Sequence, residues 1–263
     1  MNELRQLVVN ADDYGMTKNV SLGIREAHQQ GIVTTTTAIM IAPAIAQELE
    51  LAQELCPKLG IGVHLVLTSG TPIRPTSKVP SLVGNDGRFH EFKDISLSEF
   101  NLDQVYDEWR AQIDTFLETG ISLSHLDSHY HISYLSKEIF EVMLRLASMY
   151  AVPVRFPPET TYQGKYRPVE LLEKYDVGHL DRIITSFHKE GTTREHMIEI
   201  LQNLMPGTSE IMCHPGYSDG ELEAQGNYSN IREEELAVLI DPLVVAEVEK
   251  NGIELTTYSA LGL

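Results

Sequence analysis

Short apolar runs alternate with helical patterns along the first 67 residues, and this alternation most restricts the possible folds. The runs are rich in Val, Ile and Thr, which favours strands that are buried on both faces. The helical patterns repeat apolar residues three and four positions apart, and Gly31 ends the first of them. Strands are predicted at 7–11, 32–41 and 60–67, with helices at 19–30 and 44–55. This order predicts parallel βαβ units.

Residues 68–93 interrupt this alternation. They carry three prolines and no helical period, which is uncommon unless a segment is a functional loop. Helices are then predicted over 97–118, 137–150, 193–204 and 231–250, and strands over 152–156, 209–216 and 252–255, with a short strand that runs into a His-rich loop over 122–131. Residues 159–191 show no clear pattern. About seven strand–helix units predict a single α/β domain over 1–263, a distorted (β/α) barrel.

Four predicted strands end in polar or titratable residues. These are Asp12 and Asp13, His64, the cluster 125–131, and His214. Because the carboxyl ends of parallel barrel strands converge on one face, we expect these side chains to lie close together. Arg155, on a fifth strand, is a further member of this set. Neighbouring Asp side chains at a strand end point to different sides, so each is able to take a different role.

The collected donors indicate a divalent metal site. Two nitrogen ligands, one oxygen ligand and an open position suit a hydrolytic ion, with zinc expected first. Such an ion lowers the pKa of bound water, while a nearby carboxylate and a more distant His exchange protons. His125, His129 and His131 would share a face if their strand continued, and Asp127 on the other side would orient an imidazole.

Each of these residues also has an ordinary structural explanation. Asp12 to Gly15 has the composition of a turn, and a lone His64 in an apolar strand is more often a core residue. His214 precedes Pro-Gly, which is typical of a turn, and Arg155 is compatible with a surface ion pair. The functional interpretation is favoured because the ordinary explanations would have to coincide at four strand ends.

The charge of the chain restricts its partners. A formal net charge of −18 argues against binding to nucleic acid or to anionic membranes. Cys56 and Cys213 have no metal-binding or redox spacing, so we expect both to be reduced and buried. There is no signal-like N-terminus and no apolar run of roughly 20 residues. We predict a cytoplasmic protein that acts on a neutral or cationic small molecule; a homodimer is expected only from base rates.

Four motifs together resemble the YdjC-like carbohydrate deacetylases, the family that includes the chitooligosaccharide (chitin disaccharide) deacetylases. They are NADDYG at 10–15, GVHL at 62–65, HLDSHYH at 125–131 and CHPG at 213–216. They occur in the order of the family and span most of the chain. The resemblance implies a distorted (β/α) barrel related to the polysaccharide deacetylases, with one divalent metal ion, Mg²⁺ or Zn²⁺.

The resemblance also implies roles for individual residues. Asp13, His64 and His129 would ligate the metal, with His131 as the alternative to His129. The other implied roles are Asp12 as general base, His214 as general acid, and Arg155 as the residue that holds Asp12. Tyr130 stands where some relatives carry another His.

The implied substrate is an N-acetylated oligosaccharide, such as diacetylchitobiose or its phosphate. Residues 68–93 would form part of the sugar-binding rim, and Tyr14, Tyr130 and Tyr217 are expected to stack on sugar rings. A metal-dependent phosphoesterase is the second hypothesis, although it needs more carboxylates and cations than Arg155 supplies. A sugar-binding protein without catalysis is the third, and it ranks lower because Asp12 and His214 are both present.

Overall fold

The computed structural model describes residues 4–157, 162, 164–220, 222 and 229–262. Helices and strands alternate through these residues. Their order is β1 (Arg5–Tyr14), α1 (Lys18–Gln30), β2 (Thr35–Ala38), α2 (Ile45–Leu55), β3 (Gly60–Leu65), α3 (Leu102–Leu117), β4 (Leu126–Ser128), α4 (Lys137–Tyr150), α5 (Pro168–Tyr175), β5 (Arg182–Ile184), α6 (Arg194–Gln202), β6 (Gly207–Cys213), α7 (Ser229–Leu239), α8 (Pro242–Lys250) and β7 (Ile253–Leu255).

The strands form one parallel sheet that curls into a distorted barrel. On one edge β1 pairs with β6, and on the other it pairs with β7 at its start and β2 at its end. β3 and β4 follow β2, and β5 pairs with β6. Single parallel bridges join Leu126 to Val154 and Val154 to His179, which continues the order from β4 towards β5. The predicted α/β barrel is therefore confirmed.

Local sequence explains where the main elements begin and what they bury. β1 is buried from Leu7 to Tyr14, as expected for a strand covered on both faces. The Thr17 side chain caps α1 by accepting the Val20 amide N–H. The apolar stripe of α3, which includes Trp109, is fully buried on the side of the helix that faces β3. Both cysteines are free and buried, as predicted.

Several predicted boundaries were wrong. Of the predicted strand 32–41 only β2 is a strand, and Val154 alone bridges within 152–156. The predicted helix 231–250 is two helices, because Pro242 lacks an amide N–H and begins α8 at its first position. Within the uninterpreted range 159–191 the chain forms α5 and β5, while 158–161 and 163 lie outside the described residues.

The segment 68–93 packs along α3. Glu108, fully buried on α3, accepts the backbone N–H groups of Ile73 and Arg74 at 2.9 Å each. Gln104 accepts the Ser81 N–H at 2.8 Å. These side-chain acceptors satisfy backbone N–H groups that have no partner on a neighbouring strand. The segment is therefore ordered without being a strand. Among the described helices, none has the length and apolarity that a membrane crossing requires.

Candidate active site

Asp13, His64 and His129 meet at the carboxyl end of the barrel. His129 Nδ1 lies 3.1 Å from Asp13 Oδ1 and 3.3 Å from His64 Nε2, and His64 Nε2 lies 3.4 Å from Asp13 Oδ1. Three donors bound tetrahedrally at about 2.1 Å from zinc are about 3.4 Å apart. Asp13 Oδ1 is buried and receives no aligned hydrogen bond from the residues described. This triangle therefore fits a divalent metal ion.

The end of β1 is irregular, which keeps both aspartates at the barrel mouth. The pairing register with β2 shifts between Ala11 and Tyr14, and Asp13 has a left-handed φ of 73°. Such bulges re-aim side chains, and left-handed backbone at a non-glycine residue is strained and is concentrated at functional sites. Asp12 and Asp13 can therefore reach different partners at the same end of the sheet.

Asp127 orients His64. Its Oδ1 lies 2.6 Å from His64 Nδ1, and its Oδ2 accepts the Thr37 hydroxyl at 3.0 Å. The ring is thereby fixed with Nε2 towards Asp13 and His129, the arrangement that supports a ligating imidazole. Burial alone would lower the pKa of His64, but Asp127 and the two β1 carboxylates raise it to about 9. A cation bound at Nε2 would displace this proton.

Replacing Asp127 by asparagine is expected to weaken metal binding about 10- to 100-fold, because the ligating ring loses its charged partner. Isothermal titration with Zn²⁺ measures the change. Glu210→Gln is the matched control, since Glu210 is buried and contacts Arg155 as Asp127 does but has no contact with His64. Equal affinities for the two variants would show that Asp127 does not act through His64.

Arg155 holds Asp12 with two hydrogen bonds. Its Nη1 lies 2.8 Å from Asp12 Oδ2 and its Nη2 lies 2.5 Å from Oδ1, and Asn10 Nδ2 donates to Oδ1 at 2.8 Å. Burial by itself would raise the pKa of Asp12, but the guanidinium charge keeps it well below its usual range. Asp12 is therefore an ionised carboxylate beside the candidate metal site.

His214 completes the arrangement on the other side of Asp12. Its Nε2 lies 3.9 Å from Asp12 Oδ2, and its Nδ1 lies 3.9 Å from Glu235 Oε1 of α7. The His214 backbone N–H donates to the same Glu235 carboxylate. Burial lowers the pKa of His214 to about 3, so its imidazole is neutral at neutral pH. The site thus combines a metal triangle, an ionised carboxylate and a neutral imidazole.

The sequence profile of the family described as "YdjC-like protein" matches residues 6–250. The chain belongs to the YdjC-like family. The carbohydrate deacetylase of Geobacillus stearothermophilus is 36% identical over 255 residues, which cover 97% of each chain. That of Thermoanaerobacter pseudethanolicus is 35% identical over 258 residues, covering 98% of this chain and 100% of the relative. The family predicted from the four motifs is therefore confirmed.

Two solved structures place this YdjC-like fold among known ones. A proposed cellobiose-phosphate cleavage protein of Enterococcus faecalis V583 superposes with a TM-score of 0.91 at 35% identity, over 98% of this chain and 99% of that one. A family 4 carbohydrate esterase of Streptomyces lividans superposes with a TM-score of 0.53 at 10% identity, over 96% and 92% of the chains. The second likeness extends to the fold alone.

In this YdjC-like protein the three clustered histidines have separate environments. The strand ends at Ser128, and the left-handed φ values of Tyr130 and His131 turn the chain, so the histidines do not share one face. His129 alone of the three enters the metal triangle. His131 lies outside the triangle with its ring centroid 6.0 Å from that of Tyr134, and burial followed by the charge of Arg155 lowers its pKa to about 4. His125 is fully buried and stacks on Tyr258 at 4.0 Å.

The expectation that Tyr14 stacks on a sugar ring was wrong. The Tyr14 side chain is fully buried, donates its hydroxyl hydrogen to the Glu48 carbonyl and accepts from Arg25 at 2.7 Å. Tyr217 donates to Glu26 at 2.5 Å and is half-buried. Tyr130 remains available to solvent, with 53% of its surface exposed.

Sequence reasoning missed two residues of α7 in this YdjC-like site. Arg232 Nη2 donates to Asp13 Oδ2 at 2.5 Å and its Nη1 donates to the His214 carbonyl at 3.4 Å. Glu235, one turn later, faces His214 as described above. With Oδ2 held by Arg232, Asp13 offers Oδ1 alone towards the two imidazoles. Neither residue lies near a motif, and α7 has the pattern of an ordinary charged helix.

Glu210 and Tyr258 were also missed. Glu210 Oε1 accepts from Arg155 Nε at 2.8 Å, and its other oxygen accepts the hydrogen of the Tyr258 hydroxyl. A glutamate inside the apolar strand β6 was the available sequence indication, because a buried carboxylate requires a charged or hydrogen-bonding partner. Together these residues fix the guanidinium that contacts Asp12.

Proposed function

We propose that this chain is a metal-dependent carbohydrate deacetylase that hydrolyses the amide bond of N-acetylated oligosaccharides. The observation that carries the proposal is the triangle of Asp13, His64 and His129 beside the Asp12–His214 pair. The names of the full-length relatives support the reaction class. Diacetylchitobiose and its phosphate are the substrates that we propose to test first.

The ligands of the ion would be Asp13, His64 and His129. Their two nitrogens and one oxygen suit Zn²⁺, and Mg²⁺ is the alternative with its stronger preference for oxygen. When bound, a divalent ion lowers the pKa of water and polarises the acetyl carbonyl. Arg232 keeps the second oxygen of Asp13 occupied, so Asp13 would offer one oxygen to the ion.

Asp12 and His214 would move the protons. Asp12 takes a proton from the attacking water while the water oxygen forms a bond to the acetyl carbon. The carbon–nitrogen bond then breaks, and the leaving nitrogen takes a proton from His214. Because burial keeps His214 neutral in the free protein, the proton that Asp12 takes from the water would first pass to His214, 3.9 Å away, and then from His214 to the leaving nitrogen. The products are acetate and a free amine.

An exposed aromatic pair supports a sugar-binding rim. Phe92, at the end of the 68–93 segment, stacks on Tyr130 with ring centroids 4.8 Å apart, and 39% and 53% of their surfaces are exposed. Tyr130 in turn contacts the ring of His129 at 4.3 Å. Aromatic faces suit the apolar faces of pyranose rings, and the Tyr130 hydroxyl adds a polar edge. We therefore place the sugar along this pair, with its acetyl group towards His129.

The test is acetate release from diacetylchitobiose and its phosphate, before and after chelation, with Zn²⁺ or Mg²⁺ added back. We expect release to stop on chelation and to return with one of the ions. Asp13→Asn is the control variant, and it should stay inactive after metal is restored. Phosphate is measured in the same reactions: phosphate release without acetate would favour the phosphoesterase, and neither product from a metal-loaded protein would contradict the proposal.

A further inference from the structure

A second group of metal-binding side chains lies beside the first. His188, which precedes α6, together with His214 and Glu235 places one donor atom from each residue within 4.8 Å of the others. The rings of His188 and His214 have centroids 5.6 Å apart, and His214 Nδ1 lies 3.9 Å from Glu235 Oε1. Neither His188 nor Glu235 has a role in the proposed reaction.

We propose that His188, His214 and Glu235 form a second, inhibitory binding site for a divalent cation such as Zn²⁺. Two imidazoles and one carboxylate are the same donor set as in the first triangle. Glu235 is fully buried, so an ion there would interact with its carboxylate through little water. His188 is only half-buried, which gives an ion a route from solvent.

The geometry makes this second site weaker than the first. His214 Nδ1 and Glu235 Oε1 are 3.9 Å apart, whereas the donors of the first triangle lie within 3.4 Å of one another, so the side chains of the second site must shift to surround an ion. Arg232 and Lys189 also place positive charge near His188. The second site should therefore fill only after the first, when metal is in excess.

Occupation of the second site would take His214 away from proton transfer. An ion held through its Nδ1 fixes the ring and prevents it from accepting and passing on a proton. This consequence rests on the proposed role of His214, whereas the binding of the second ion does not. Excess metal would then inhibit an enzyme that needs one ion for activity.

The binding test counts Zn²⁺ per chain by equilibrium dialysis and atomic emission. We expect two ions in the wild type, one in His188→Gln, one in Asp13→Asn and none in the double variant. Circular dichroism establishes that each variant is folded. One ion in the wild type together with none in Asp13→Asn would overturn the proposal, as would two ions in His188→Gln. Anomalous diffraction at the zinc edge gives a readout independent of variants, with a second peak expected between His188 and Glu235.

The inhibition test compares the rate of each protein in excess Zn²⁺ with its own rate at one equivalent. The wild type should lose at least about tenfold in rate, because His214 serves general acid–base chemistry worth roughly 10²–10⁴-fold. His188→Gln should lose much less. Equal inhibition of both proteins would place the inhibitory ion elsewhere and overturn the proposal. If no acetate is released under any condition, the ion count alone still decides whether the second site exists.

Discussion

Replacing Arg155 with methionine is expected to lower the free energy of unfolding by about 3–5 kcal/mol, because buried carboxylates lose their shared counter-charge. The guanidinium lies 2.5–3.0 Å from Asp12, Asp127 and Glu210, and the Arg155 side chain is fully buried. Methionine approximates the shape of the arginine stem but brings no charge. The loss is measured as the shift in the urea midpoint of unfolding.

Two further variants make this expectation specific. Arg110→Met removes an exposed cation 3.4 Å from Asp114 and should leave the urea midpoint unchanged, since exposed pairs contribute little. Adding Glu210→Gln to Arg155→Met removes one of the uncompensated carboxylates and should recover part of the stability. An Arg155→Met protein that unfolds at the wild-type urea concentration would show that the three carboxylates are neutralised in another way.

Replacing Asp12 with asparagine is expected to reduce the rate of acetate release about 10²–10⁴-fold while metal stays bound. The amide keeps the size of the side chain but accepts no proton from water. Asp13→Asn, at the next position, should instead lose the tightly bound ion of the first site, because Asp13 Oδ1 belongs to the ligand triangle. Steady-state kinetics at saturating metal, together with a metal titration, separate the two effects.

The contrast between these neighbouring aspartates tests the assignment of their roles. Loss of metal from Asp12→Asn, or a rate within tenfold of the wild type, would contradict the general-base role of Asp12. An Asp13→Asn protein that keeps the tighter of the two binding sites and has low activity would mean that the roles of Asp12 and Asp13 are exchanged. Thermal unfolding of both variants shows whether the fold survives the loss of the Asp12 contact with Arg155 or of the Asp13 contact with Arg232.

The sequence was most informative where a pattern is local. Strand–helix alternation places β1, β3 and β6 correctly, and the polar residues at their ends correctly predict that Asp13 and His64 are neighbours. Side chains that follow a parallel strand are constrained to one end of the sheet, so their convergence follows from the strand pattern alone.

The sequence was least informative where backbone or distant helices decide the outcome. The residue types of Tyr130 and His131 do not predict a left-handed backbone, since neither is a glycine. The strand does not continue past Ser128, so the condition under which the three histidines would share a face is not met. Arg232 and Glu235 reach the site by the packing of α7, which depends on tertiary contacts rather than on a spacing within the chain.

The pairing of β1 with β7 bears on how the protein reaches its native state. The register puts Gln6 opposite Glu254, 248 positions later in the chain. The same strand, β1, carries both aspartates of the site. Such distant pairing is slow to form, because a long chain must close before the contact is made. A nascent chain that lacks β7 and Tyr258 leaves one edge of β1 incomplete and Glu210 without its phenol partner. Catalytic competence should therefore arise late in biosynthesis.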